Sequence, residues 1–163
     1  MFDIRIASKE DIPLIQKLTY QVWPQTYASI LSQEQVNYML GMMYSEVSLQ
    51  KQMEEGARFL IINDNGSPAG FASWQEMKPG IFKLHKIYVL ANQQGKGTGK
   101  FIINYIINDI KTKGAVVLQL QVNRYNKARD FYEKLGFLVT EEADFDIGNG
   151  YFMNDYVMEK RIN

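Results

Sequence analysis

Gln94-Gly95-Lys96-Gly97-Thr98-Gly99-Lys100 stands between two apolar segments of different period. Before it, Leu84, Ile87 and Val89 give a strand pattern over Lys83 to Leu90; after it, Phe101, Ile102, Tyr105, Ile106 and Ile110 recur at helical spacing towards Gly114. A glycine-rich turn between a strand and a helix aims successive backbone N–H groups outward, with the positive end of the helix dipole behind them. Such a turn can cradle a pyrophosphate. Side chains at the glycines would hold phosphate oxygens away from the N–H donors, and Lys96 and Lys100 add positive charge.

Two phosphate-loop readings compete with the plain one, a glycine-rich helix start that only turns the chain. A Walker A loop needs Gly at 94 and Ser or Thr at 101, where Gln94 and Phe101 stand. A dinucleotide fingerprint beginning at Gly95 needs Gly at 100, where Lys100 stands, and the next strand ends in Asn123 with no acid for a ribose. Neither fits.

Outward from the turn, Val116 to Val122 reads as an apolar strand. Ala128, Phe131, Tyr132 and Leu135 mark a helix stopped by Gly136, followed by a strand from Phe137 and a last one through Tyr151 to Met158. In the other direction, Phe59 to Ile62 and Ala69 to Trp74 flank the turn Asn63-Asp64-Asn65-Gly66, and Pro79-Gly80 turns the chain again. At the start, Phe2, Ile4 and Ile6 alternate as a strand. Ser8 with Asp11 opens a helix carrying Ile12, Ile15, Leu18 and Val22, which Pro24 is expected to interrupt. Ser32 caps a second helix, and Val47 to Glu55 forms a short third ended at Gly56. The order is one strand, two or three helices, three strands, then helix, strand, helix and two strands. With 163 residues and no linker or repeat, residues 1–163 form a single domain.

Eighteen basic and eighteen acidic side chains cancel and form no block, so nucleic acid is not an expected partner. The absence of cysteine excludes thiol nucleophiles and Cys-ligated zinc, and a single histidine, His85, excludes His-rich metal sites, so no metal is expected. No signal-like start and no run of about 18 apolar residues occurs, giving the expectation of a cytoplasmic protein without a membrane partner. The last strand is long and apolar on one face; read as an edge strand, it is expected to pair with a second copy in a homodimer.

Gln94-x-x-Gly97-x-Gly99 resembles the Q/R-x-x-G-x-G/A motif of the GNAT acetyltransferase superfamily. Lys86-Ile87-Tyr88-Val89-Leu90 resembles that family's splayed fourth strand, and Asn126 through Phe131-Tyr132-Glu133-Lys134-Leu135-Gly136-Phe137 its next motif. The resemblance spans about residues 57 to 160. It implies an α/β (α+β) GNAT fold, a mixed, mostly antiparallel six- to seven-stranded sheet flanked by helices and splayed between strands 4 and 5. It also implies acetyl-CoA as co-substrate, with the pyrophosphate on Gln94, Gly95, Lys96, Gly97, Thr98, Gly99 and Lys100, pantetheine along Ile87, Tyr88 and Val89, and further contacts from Asn123 and Asn126.

By the same resemblance Tyr132 takes the position of a general acid near the thioester sulfur; a phenol keeps its proton at neutral pH and can hydrogen-bond a developing thiolate. His85 lies where some members relay a proton from the amine, an imidazole titrates near neutrality, and Glu76 on the preceding strand is the alternative base. A backbone N–H at Val89 or its neighbour would polarise the carbonyl. Trp23 to Tyr27, Ile30 to Gln35 and Tyr38-Met39-Leu40 are similar to acceptor-side segments of Pai-type spermine/spermidine acetyltransferases. Trp23, Tyr27 and Tyr38 could meet a polyamine through cation–π contacts or simply pack the helices on the sheet. A small-molecule amine is the first acceptor considered and a protein N-terminal or lysine amine the second; a non-catalytic acyl-CoA sensor would keep the same cradle.

Overall fold

The structure, a computed structural model, describes residues 1–163. After β1 (Phe2–Ile6) come α1 (Ile12–Tyr27), α2 (Gln33–Tyr44) and α3 (Glu46–Glu54); then β2 (Arg58–Asp64), β3 (Ser67–Lys78), β4 (Ile81–Val89), α4 (Thr98–Lys111), β5 (Val117–Asn123), α5 (Ala128–Lys134), β6 (Leu138–Gly148) and β7 (Tyr151–Arg161). The strands form one seven-stranded sheet in the order β1-β2-β3-β4-β5-β7-β6, antiparallel except for β4 against β5. No helix is long and apolar enough to cross a membrane.

Strand β2 shows how this sheet is held. Phe59 and Ile61 point into a core with Ile15, Trp23, Tyr44 and Leu49 of α1 to α3, while Leu60 and Ile62 point into a second core with Ile102, Ile106 and Ile110 of α4. All four are almost fully buried. With both faces covered, the strand reads as an unbroken apolar run, because alternate residues serve opposite layers.

Two expectations need correction. Helix α1 continues through Pro24 to Tyr27. Proline removes one N–H and crowds the turn before it, but Trp23 and Tyr27, buried on either side, anchor the last turn, and the Ala28 N–H still closes on the Pro24 carbonyl. The last strand, β7, is not an edge. It lies between β5 and β6, bonded to both, and its apolar face packs the chain's own core. The reason for expecting a homodimer through that strand is thereby removed. The edge on that side of the sheet is β6, where exposed Glu141, Glu142, Asp144 and Asp146 supply the charge that discourages strand addition.

Strands β4 and β5 pair only from Ile81 opposite Val117 to Leu84 opposite Leu120. At that point β4 carries a bulge: Leu84 faces Trp74 and Lys86 faces Ser73, so His85 is the extra residue. A bulge bends its strand, and beyond it β4 follows β3 while β5 follows β7. The wedge between them opens onto the glycine-rich turn.

Candidate active site

A cavity of about 1090 Å³ runs through this wedge, from the start of α4 on one face of the sheet to α1 and α2 on the other. Its size exceeds what one small ligand requires.

At the α4 end, the N–H groups of Gly95, Gly97, Thr98, Gly99 and Lys100 donate to no backbone carbonyl. The first turn of any helix leaves such donors open, and here the turn before it adds more. Gly97 caps α4 with a φ of 81°, a conformation that favours glycine. Gly99 is required for another reason: a β-carbon there would sit 3.0 Å from Cζ of Phe131 on α5. The buried Gln93 side chain accepts a hydrogen bond from the Thr98 hydroxyl at 2.9 Å and braces the loop. Lys100 borders the cavity, but Lys96 does not; its ammonium lies 3.8 Å from Asp64. Asn123 and Asn126 border it, with their carbonyl oxygens accepting from the N–H groups of Tyr125 and Ala128, which leaves their amide N–H₂ groups for a ligand.

Along the wedge, Leu90 N–H donates to the Ala69 carbonyl, which fixes the alternation of the β3–β4 ladder. Val89 opposite Gly70 and Ile87 opposite Ala72 are then the non-bonded pairs, whose N–H and C=O groups point away from the partner strand. They point to where β5 has departed. Tyr132, on α5, borders the same space, buried against Phe131 and Phe137, and burial raises its phenol above the ordinary tyrosine range.

On the far face, the bulge turns both His85 and Lys86 into the cavity, beside Lys83. His85 Nε2 lies 3.0 Å from Gln75 Oε1, and Gln75 Nε2 is committed to the Glu55 carbonyl. His85 therefore donates through Nε2–H and has Nδ1 as its acceptor. Burial, reinforced by Lys83 and Lys86, pushes its pKa down to about 4. Lys86 is pushed down to about 8, first by burial and then by Lys83, with its ammonium 4.7 Å over the Tyr44 ring. Asp155 of β7 faces the same space, pushed up to about 6 by burial against the opposing pull of Lys83 and Arg124. Trp23 and Tyr27 form part of the wall, with the Tyr27 hydroxyl 3.1 Å from that of Tyr88.

Two further candidates, besides Lys96, lie elsewhere. The Glu76 carboxylate accepts from the Gly80 N–H at 3.2 Å in the β3–β4 turn and borders no part of the cavity, so it is not placed as a base. Tyr38 is also outside: its hydroxyl donates to the Ile147 carbonyl at 2.6 Å and its ring packs on Tyr151, so it ties α2 to the β6–β7 hairpin. Conversely, Lys83, Lys86 and Asp155 were not apparent from sequence patterning as cavity residues. Met153, Asp155 and Val157 share one face of β7, and an acid flanked two residues away on each side by apolar residues is the available signal.

This wedge with its open donors defines a family. The chain belongs to the acetyltransferase (GNAT) domain family, whose model matches residues 27–159. It is 34% identical over 100 residues to the [ribosomal protein bS18]-alanine N-acetyltransferase of Haemophilus influenzae, a match covering 60% of this chain and 64% of that protein. The spermidine N(1)-acetyltransferase of Thermoplasma acidophilum is 27% identical over 164 residues, 98% of this chain and 96% of the relative. The crystal structure of PaiA N-acetyltransferase from T. acidophilum in complex with coenzyme A superposes with a TM-score of 0.83 at 26% identity, covering 99% of each chain.

Proposed function

We propose that this protein transfers the acetyl group of acetyl-CoA directly to the primary amine of a small molecule, a polyamine being the first acceptor to consider, in one ternary complex. The observation that carries this is the single cavity joining the open N–H groups of α4 to the α1–α2 face through the β4–β5 wedge. Two substrates can meet there without a covalent carrier, and the chain has no cysteine to serve as one.

The residues present fit the co-substrate. The open N–H groups from Gly95 to Lys100, with the helix dipole, suit a pyrophosphate; the outward N–H and C=O groups of Ile87 and Val89 suit the amides of pantetheine; the amides of Asn123 and Asn126 are free to donate. Bound acetyl-CoA supplies an activated acyl carbon. The N–H of Val89 or Ile87 can hold the carbonyl oxygen as negative charge develops on it. Tyr132 keeps its proton because burial disfavours the phenolate, so it can give that proton to sulfur as the C–S bond breaks. The relative from T. acidophilum, aligned along nearly the whole chain, supports a polyamine acceptor; the Haemophilus relative favours a protein N-terminal amine as the second reading.

CoA release measured with spermidine, spermine and a peptide bearing a free N-terminal alanine separates these acceptors. Turnover with a polyamine that falls about 10²-fold or more in Tyr132→Phe, with acetyl-CoA affinity unchanged, is the expected result. Acetyl-CoA binding with no turnover on any amine would contradict the transferase reading and point to a sensor.

A further inference from the structure

Asp155 is 2% exposed, borders the cavity, and its Oδ2 has no hydrogen-bond partner in the protein. Both nearby cations are engaged elsewhere. Arg124 forms ion pairs with Glu142 and Asp144 on β6, and the Lys83 ammonium donates to Gln121 Oε1 at 3.4 Å. A buried carboxylate left without a partner weakens the fold, so its place on this wall is explained by something other than packing. It stands opposite Asn123 at the open end of the wedge, where β5 is free of β4, and it lines the same cavity as Tyr27 of α1.

We propose that Asp155 is the group that receives the acceptor's ammonium and takes its proton before transfer. The inference rests on the acetyl-transfer reading above and assigns it the base that reading leaves open. An ammonium supplies both missing elements, a counter-charge and a donor for Oδ2. With its pKa near 6, Asp155 is ionised at neutral pH yet basic enough to share a proton. His85 is the weaker base, and its Nε2–H is held by Gln75. The protons balance. The first leaves the ammonium for Asp155 and then solvent. The second leaves nitrogen as the C–N bond forms and the C–S bond breaks, and replaces the one Tyr132 gives to sulfur. One net proton is released per turnover.

Asp155→Asn keeps the shape and removes the charge. The test compares wild type, Asp155→Asn and His85→Gln in three readouts: affinity of the CoA-saturated protein for spermidine and for the alanine peptide, kcat/KM against pH for any amine turned over, and melting temperature. In wild type the logarithm of kcat/KM should bend near pH 6, where Asp155 titrates among Lys83, Arg124 and Tyr27. In Asp155→Asn it should instead climb about tenfold per pH unit with the fraction of free amine, starting roughly 10²-fold below wild type at pH 7. Amine affinity should drop at least tenfold while the melting temperature holds or rises, which a merely structural residue would not permit. Unchanged amine affinity and pH profile in Asp155→Asn would overturn the inference while leaving acetyl transfer intact, and a bend abolished only in His85→Gln would reassign the base. If CoA-loaded wild type binds no amine, the inference and the transferase reading both fall.

Discussion

Burial displaces two ionisable groups on one wall of the cavity in opposite directions. His85, held near 4 in the folded chain and near 6.5 when unfolded, favours the neutral imidazole, so it withdraws stability as pH falls from about 6.5 towards 4. Asp155, near 6 when folded and 3.8 when unfolded, favours the protonated carboxyl, so it withdraws stability as pH rises from about 4 to 6. Melting curves should therefore show His85→Gln gaining on wild type as pH drops from 6.5 to 4.5, and Asp155→Asn gaining as pH rises from 4 to 6.5. Loss of either trend would refute the environment given to that residue. The glycines divide as sharply. An added β-carbon at Gly97 meets nothing within 4 Å, so Gly97→Ala should cost only the strain of its backbone, about 1 kcal/mol. Gly99→Ala presses on Phe131, next to Tyr132, and should cost about 1–3 kcal/mol and depress turnover more than Gly97→Ala does. At this scale sequence reading locates the glycines and Tyr132, since their chemistry is local. It leaves the state of His85 open and passes over Asp155, because both depend on which distant strand lies alongside.

Among the elements, those with a short-range signal are where the local cues put them: the Asn65-Gly66 hairpin, the Ser32 cap, and α4 with its Ile102, Ile106 and Ile110 face. Helix α1 and strand β7 depart from expectation for one physical reason, that tertiary packing outweighs a local cue. Buried Trp23 and Tyr27 carry α1 past Pro24, and pairing with β5 and β6 places β7 inside the sheet. Tyr38 follows the same rule, binding the Ile147 carbonyl of the β6–β7 hairpin instead of lining the cavity. Tyr38→Phe should thus cost about 0.5–1.5 kcal/mol of stability in denaturant unfolding and leave the KM for any amine within twofold. A large rise in KM would return Tyr38 to the acceptor site.

For the molecule as a whole, the two cores on opposite faces of the sheet are joined across β2 and β3 but parted at the β4–β5 wedge, and the cavity fills that parting. A ligand held there bridges the two cores. Acetyl-CoA at about a hundred times its Kd should stabilise the fold by about 2.7 kcal/mol, a rise in melting temperature of roughly 5–10 °C for a chain of this length. Calorimetric titration with acetyl-CoA tests the central claim most directly, comparing wild type with Gly97→Glu, whose carboxylate would crowd the open N–H groups, and with Gly97→Ala as the control for backbone strain. One-site binding by wild type, weakened in Gly97→Ala and lost in a folded Gly97→Glu, is the predicted result; wild type that takes up no acetyl-CoA, or Gly97→Glu that binds it equally well, would contradict the account.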